Sequence, residues 1–379
     1  MDPTDKRDQH ERQVGLTSQT QQRNAALLGG YDYSKYPAAI TGYSGQDLQR
    51  IFRTSFFEAI RTRVGPRGNY KAGFARLADG KLLIAVCRKS SVEQNSPFLI
   101  DVYCSLDDGL SWEAVANTDI VGKEPSLTAL ADGSVLMTAQ YADFASDPGQ
   151  QGMYVARSRD AGKTWHAGQI EGRRYPRNIV VEADGSLLFL RPNPGLNLEL
   201  CRSVDNGQSW SFSEGILDWR PEDKHTFDEV STLRLDDGTL IAALRHEKPG
   251  CHGEGFEDTL ITRSTDDGRS WAVPRPMVNT AEVHVYLTKL GSGSILATYS
   301  NYHLPYGVCA IQSADGGHTW SSEQPLQLAL SADLYVGWPV TLELPGGDLL
   351  TSYASTSYVK EPPDTTTCEV VRWRLPSPR

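Results

Sequence analysis

Lys71, Glu124, Glu229 and His284 each stand nine positions before a glycine that sits in a short polar turn, and so do Pro176 and Trp338. Tyr70, Lys123, Arg177, Asp228 and Tyr286 lie within two residues of these positions. Two carboxylates at matched places can act as proton donor and as base or nucleophile across a glycosidic bond. Histidine and tyrosine can withdraw a proton, and lysine and arginine can grip an anionic or hydroxyl-rich ligand. Each residue also has a plainer account. His284 fits a satisfied core histidine, Trp338 fits a plug, and an arginine at a strand end is usually a solvated edge charge.

The turn glycines show what must position these residues. Gly80, Gly133, Gly185, Gly238, Gly293 and Gly347 follow one another at intervals of 52 to 55 residues, inside stretches such as ARLADGKLLIAV, LRLDDGTLIAAL and LELPGGDLLTSY. Each stretch reads as strand, tight turn, strand. A second pattern, S-x-D-x-G-x-x-W, interleaves with the first at Ser105–Trp112, Ser158–Trp165, Ser203–Trp210, Ser264–Trp271 and Ser313–Trp320. Five copies are scaffolding rather than five active sites. The aspartate accepts hydrogen bonds from its own turn, the glycine takes positive φ, and the tryptophan is expected to plug the core. Two hairpins per period make a four-stranded blade, and six periods predict an all-β, six-bladed β-propeller with four-stranded antiparallel blades. The sixth period lacks the second pattern, so its missing outer strand is expected from the N-terminal side, around FRTSFFEAI. Residues 1–45 read as a polar, weakly ordered or surface-wrapped extension, and 46–379 as a single propeller domain.

Because every inner strand starts on the same face, equal offsets before the turn become one ring around the mouth of the propeller. The returning strands end on that face at Arg88, Gln140, Arg191, Arg245 and Asn301.

The repeated S-x-D-x-G-x-x-W on six blades resembles the Asp box of the sialidase (neuraminidase) superfamily, with the likeness spanning residues 65 to 375. The separation of 16 residues between Glu229 and Arg245, in TFDEVSTLRLDDGTLIAALRHE, is similar to the sialidase segment that carries a nucleophile-activating glutamate and a carboxylate-gripping arginine. The resemblance implies a base or nucleophile-assisting role for Glu229. The ring places Glu124 two blades away, across part of the funnel, as the candidate proton donor, and its rival is Glu93 in RKSSVEQNSP, where sialidases carry an aspartate. Tyr70, Lys71, Arg88, Arg177, Arg245, His284, Tyr335 and Trp338 are the candidate substrate-binding residues. The departures are specific. NYKAG offers Tyr70 and Lys71 where the family begins its first blade with an arginine, Tyr306 stands near the place of the third arginine, and Trp338 takes the place of the nucleophilic tyrosine, with Tyr335 three residues earlier.

The expected activity is that of an exo-acting glycoside hydrolase releasing a terminal sugar, neutral or acidic. A polysaccharide lyase using Tyr70, His246, His284, Tyr302 or His303 is the alternative, and a non-catalytic carbohydrate-binding propeller the third reading. A net charge of −10, from 37 basic and 47 acidic side chains, argues against nucleic acid or an anionic membrane as partner. The six cysteines form no C-x-x-C pair and read as buried thiols, and neither a metal cluster nor a cofactor fingerprint is present, so no cofactor is expected. The N-terminus lacks the apolar core of a signal peptide, which predicts a cytoplasmic protein, or a secreted or periplasmic one whose signal has been removed.

Overall fold

Alternation of side chains builds the blades. In LLIAVCRK, Leu82, Ile84 and Val86 pack with Val340, Leu350 and Val370, whereas Leu83 and Ala85 face Ile100, Leu127 and Met137. One strand thus serves two cores, and every blade is buried on both faces by its neighbours. The computed structural model describes residues 59–89, 97–142, 151–170, 176–193, 197–217, 226–247, 257–279, 282–303, 306–322, 325–330, 336–356 and 366–376. These form six small sheets in a six-bladed propeller. The innermost strands of blades one, two, four, five and six are Asn69–Arg76, Lys123–Ala129, Thr226–Arg234, Glu282–Lys289 and Gly337–Glu343. In blade three this strand shrinks to Val180–Val181, because Pro176 holds the ring offset and has no N–H to give a ladder.

The ring closes as the sequence implies. Ile60–Val64 pairs antiparallel with Thr366–Trp373 and becomes the outer strand of blade six. It begins at the end of the stretch expected to supply it; the rest of that stretch and residues 1–45 lie outside the described residues. One sheet departs from four antiparallel strands. Ser270 and Trp271 leave blade four and pair in parallel with Ile216 and Leu217 on the outer edge of blade three, giving that sheet a fifth strand.

The S-x-D-x-G-x-x-W turns share one hydrogen-bond pattern. Ser105 Oγ donates to Asp107 Oδ1 at 2.7 Å and accepts the Gly109 N–H at 2.8 Å, while Asp107 Oδ1 accepts the Ser111 N–H at 2.8 Å. The other four turns repeat it. Since strands run alternately up and down a blade, these turns lie on the same face as the D-G turns and away from the ring. The tryptophans are not equivalent, contrary to the expectation of five core plugs. Trp271 is 1% exposed, whereas Trp112, Trp165, Trp210 and Trp320 are half-buried at the margins of their clusters. Trp271→Ala is therefore expected to lower unfolding stability by about 3–5 kcal/mol, and Trp165→Ala by clearly less. Urea unfolding of the two variants checks this, and equal losses would refute the assignment of the fold's main tryptophan anchor to Trp271.

Candidate active site at the mouth of the propeller

The inner strands break register where the ring begins. Their pairing shifts between Tyr70 and Ala72, Lys123 and Ser126, Phe227 and Val230, Val283 and Tyr286, and Gly337 and Val340. Each bulge inserts an unpaired residue and re-aims its side chain. Lys71, Glu124, His284 and Trp338 occupy these positions with φ of 44°, 59°, 57° and 51°. Left-handed φ costs an L-residue with a Cβ roughly 1–2 kcal/mol, and four such residues at one rim mark it as a place where strain is retained for side-chain placement.

Trp338 ties the ring together. Its Nε1–H donates to Glu229 Oε1 at 3.1 Å, its backbone N–H donates to Ser300 Oγ at 3.2 Å, and its ring lies 4.5 Å from the His284 imidazole. The Lys71 ammonium stands 3.9 Å above the same indole and donates to Glu124 of the next blade. Gly337, at φ 139°, leaves room for this arrangement: a Cβ there would fall 1.8 Å from Ser300 Oγ.

Glu229 is 4% exposed and wrapped in donors. Arg177 Nη1 donates to its Oε2 at 2.7 Å, and Arg245 Nη1 donates to its Oε1 at 3.3 Å. Arg177 Nη2 is held in turn by the Pro339 carbonyl at 2.7 Å, and Arg245 by Glu257 at 2.5 Å. Burial alone would raise the Glu229 carboxyl, but the fixed cations around it, Arg177, Arg245 and Lys71, outweigh that and hold it well below the usual carboxylate range. Burial moves His284 the other way, well below the usual imidazole value. The geometry agrees. Arg245 has only protons to offer, so His284 Nε2, 2.9 Å from Arg245 Nη1, must accept. Its proton then sits on Nδ1, within 2.9 Å of Ser300 Oγ and 3.2 Å of the Tyr302 hydroxyl. Glu229 is an anion and His284 a neutral imidazole near pH 7.

Seven sequence candidates thus meet at the mouth: Lys71, Glu124, Arg177, Glu229, Arg245, His284 and Trp338. A small pocket opens among Lys71, Glu124, Arg177 and Trp338. Tyr70 borders this group, packed against Phe98 with its ring 5.8 Å from the Lys71 ammonium. Arg88 is not brought to the ring. Its guanidinium is taken by Asp101 on the neighbouring strand, just as Glu199 takes Arg191. Arg245 has the same kind of partner in Glu257 but also reaches Glu229 and His284. Glu257 and Ser300 escaped the sequence reading. The available signal was a carboxylate in or just before the third strand, 8 to 13 residues after an arginine near the end of the second, a pairing found in three blades. Glu93 and Tyr335 lie outside the described residues.

A six-bladed propeller with carboxylates, guanidinium groups and an indole gathered at one mouth has the architecture of the sialidase-like glycoside hydrolase propellers. Residues 187–333 match the BNR repeat-like domain. A sialidase of Bacteroides fragilis is 26% identical over 180 residues, covering 44% of this chain and 32% of that protein. The chain spans about a third of the length of the curated relatives it matches. A protein of unknown function from Dyadobacter fermentans shares the fold with a TM-score of 0.67 at 19% identity, over 84% of this chain and 98% of that one. The α-L-arabinofuranosidase of Fusarium graminearum, solved with arabinobiose, does so with a TM-score of 0.62 at 16% identity, over 83% and 98%. Over part of its length the chain is thus similar to BNR-repeat proteins and to sialidases, and it shares their propeller fold.

Proposed function

We propose that the protein is an exo-acting glycoside hydrolase that takes a terminal sugar of an oligo- or polysaccharide into the mouth of the propeller and cleaves its glycosidic bond by carboxylate chemistry. The observation that carries this reading is the placement of Glu124 and Glu229 on two different blades around one indole, Trp338, with Lys71 and Arg177 between them. Glu229, fixed as an anion, suits the base or nucleophile-assisting side, where negative charge stabilises an oxocarbenium-like transition state. It is unsuited to donating a proton. Glu124 lines the pocket and is the described candidate for donor, with Glu93 its rival.

The lyase reading finds less support in this geometry. His284 is fully buried with its Nε2 lone pair facing Arg245, Tyr302 is 3% exposed, and His246 is held by Asp258 at 2.6 Å. None of the three presents a free base to a uronate C5 proton.

Screened against a panel of neutral and acidic polysaccharides, the protein is expected to release new reducing ends from at least one of them without unsaturated, ultraviolet-absorbing product. Such product would shift the assignment to a lyase. Sialosides are expected to release little sialic acid, because Lys71 stands where the family's first arginine would be. Turnover of a sialoside on the order of 1 per second or more would overturn that expectation.

A further inference from the structure

Among the described residues, the strong charges at the mouth cancel locally. Two cations, Lys71 and Arg177, line the pocket, and each is already matched by a carboxylate from the following blade, Glu124 and Glu229 respectively. The third cation in contact with the ring, Arg245, spends its donors on Glu257, Glu229 and the His284 lone pair. With His284 neutral, the three cations face three carboxylates. A ligand carboxylate entering here would have to displace an internal one or lie beside Glu124, and a like-charge neighbour in a poorly hydrated site excludes a partner more effectively than it weakens an accepted one. The hydrogen-bonding heads of Lys71 and Glu124 instead match the hydroxyl rim of an uncharged sugar ring, while the buried indole of Trp338, capped by Lys71 and packed on His284, holds the Lys71 head in place.

From this balance we infer that the mouth selects an uncharged terminal sugar, and that Glu124 is the specificity-determining residue, excluding carboxylate-bearing sugars by occupying Lys71. The inference rests on the mouth being the sugar-binding site, as proposed above, but not on any bond being cleaved there.

The test is a binding measurement on the full chain with glucuronate and N-acetylneuraminate as probes, followed by isothermal titration. The wild type is expected to show no saturable binding of either at low millimolar concentration. Glu124→Gln keeps the side-chain shape, frees the Lys71 ammonium, and is expected to tighten glucuronate binding by roughly tenfold or more. The added Lys71→Gln change should abolish that gain. If Glu124→Gln does not fold, Glu124→Asp, with a shorter and poorer reach to Lys71, should give a smaller gain of the same sign. Saturable glucuronate binding to the wild type that Lys71→Gln abolishes would overturn the inference. So would an absence of gain in the folded variants. A gain in Glu124→Gln, with no glycan turned over by the wild type, would instead leave the selectivity standing and remove the hydrolase reading.

Discussion

Replacing Glu229 with glutamine is expected to lower the chemical step by roughly 100- to 10,000-fold and to cost about 3–5 kcal/mol of folding stability at pH 7. The first effect follows from removing a fixed negative charge beside the position where positive charge develops, while glutamine preserves shape and leaves ground-state binding of an uncharged sugar little changed. The second follows from burial. Arg177 and Arg245 would both face a neutral amide, and Arg177 is 8% exposed, with the Pro339 carbonyl and the Tyr286 ring beside it but no second carboxylate bonded to it among the described residues. The pH dependence separates charge from shape. Because the folded Glu229 titrates below its unfolded value of 4.5, its ionised form stabilises the fold above that value, and the contribution drains away as pH falls from 4.5 through the depressed folded value. Wild type and Glu229→Gln should therefore differ most at neutral pH and converge in acid, as measured by urea unfolding at several pH values. A gap that does not change with pH would show that Glu229 acts by packing. Near-normal turnover by the variant would end the two-carboxylate reading and make tyrosine and histidine the next groups to test.

The ring was legible because a propeller turns equal offsets in sequence into equal places in space. Lys71, Glu124, Glu229, His284 and Trp338 come together from five blades although no two of them lie closer than 53 residues in the chain. Where the offset meets Pro176, the functional side chain is its neighbour Arg177, since proline can neither join the ladder nor donate. The bulges were not legible. They depend on how two strands pair, and the left-handed positions are held by lysine, glutamate, histidine and tryptophan rather than by the glycine or asparagine that would have advertised them. Nor could types and spacing show that His284 is sealed against Arg245, that Arg88 is spent on Asp101, or that Trp271 crosses to the edge of another blade. Those outcomes are decided by contacts between blades, which a repeat leaves free to vary from one blade to the next.

That division between symmetric place and asymmetric contact governs the proton donor. Glu124 belongs to the symmetric ring, faces the pocket and is one ion pair away from the indole that anchors Glu229. Glu93 follows the strand Leu82–Lys89 in sequence and lies outside the described residues. If Glu124 gives the proton, Glu124→Gln is expected to slow hydrolysis of natural glycosides by roughly 100- to 10,000-fold, because the departing alkoxide then leaves unprotonated. On aryl glycosides with an acidic phenol the leaving group needs no proton, so the same variant should recover most of its rate, and turnover should become insensitive to the leaving group's pKa only in the wild type. Glu93→Gln should leave both substrates nearly unaffected in that case. The reverse pattern, selective rescue of Glu93→Gln alone, would move the donor to the loop and leave Glu124 with its binding role. Loss of both activities in Glu124→Gln without rescue would place it instead among the groups that hold Lys71, since a displaced ammonium beside Trp338 impairs every substrate alike.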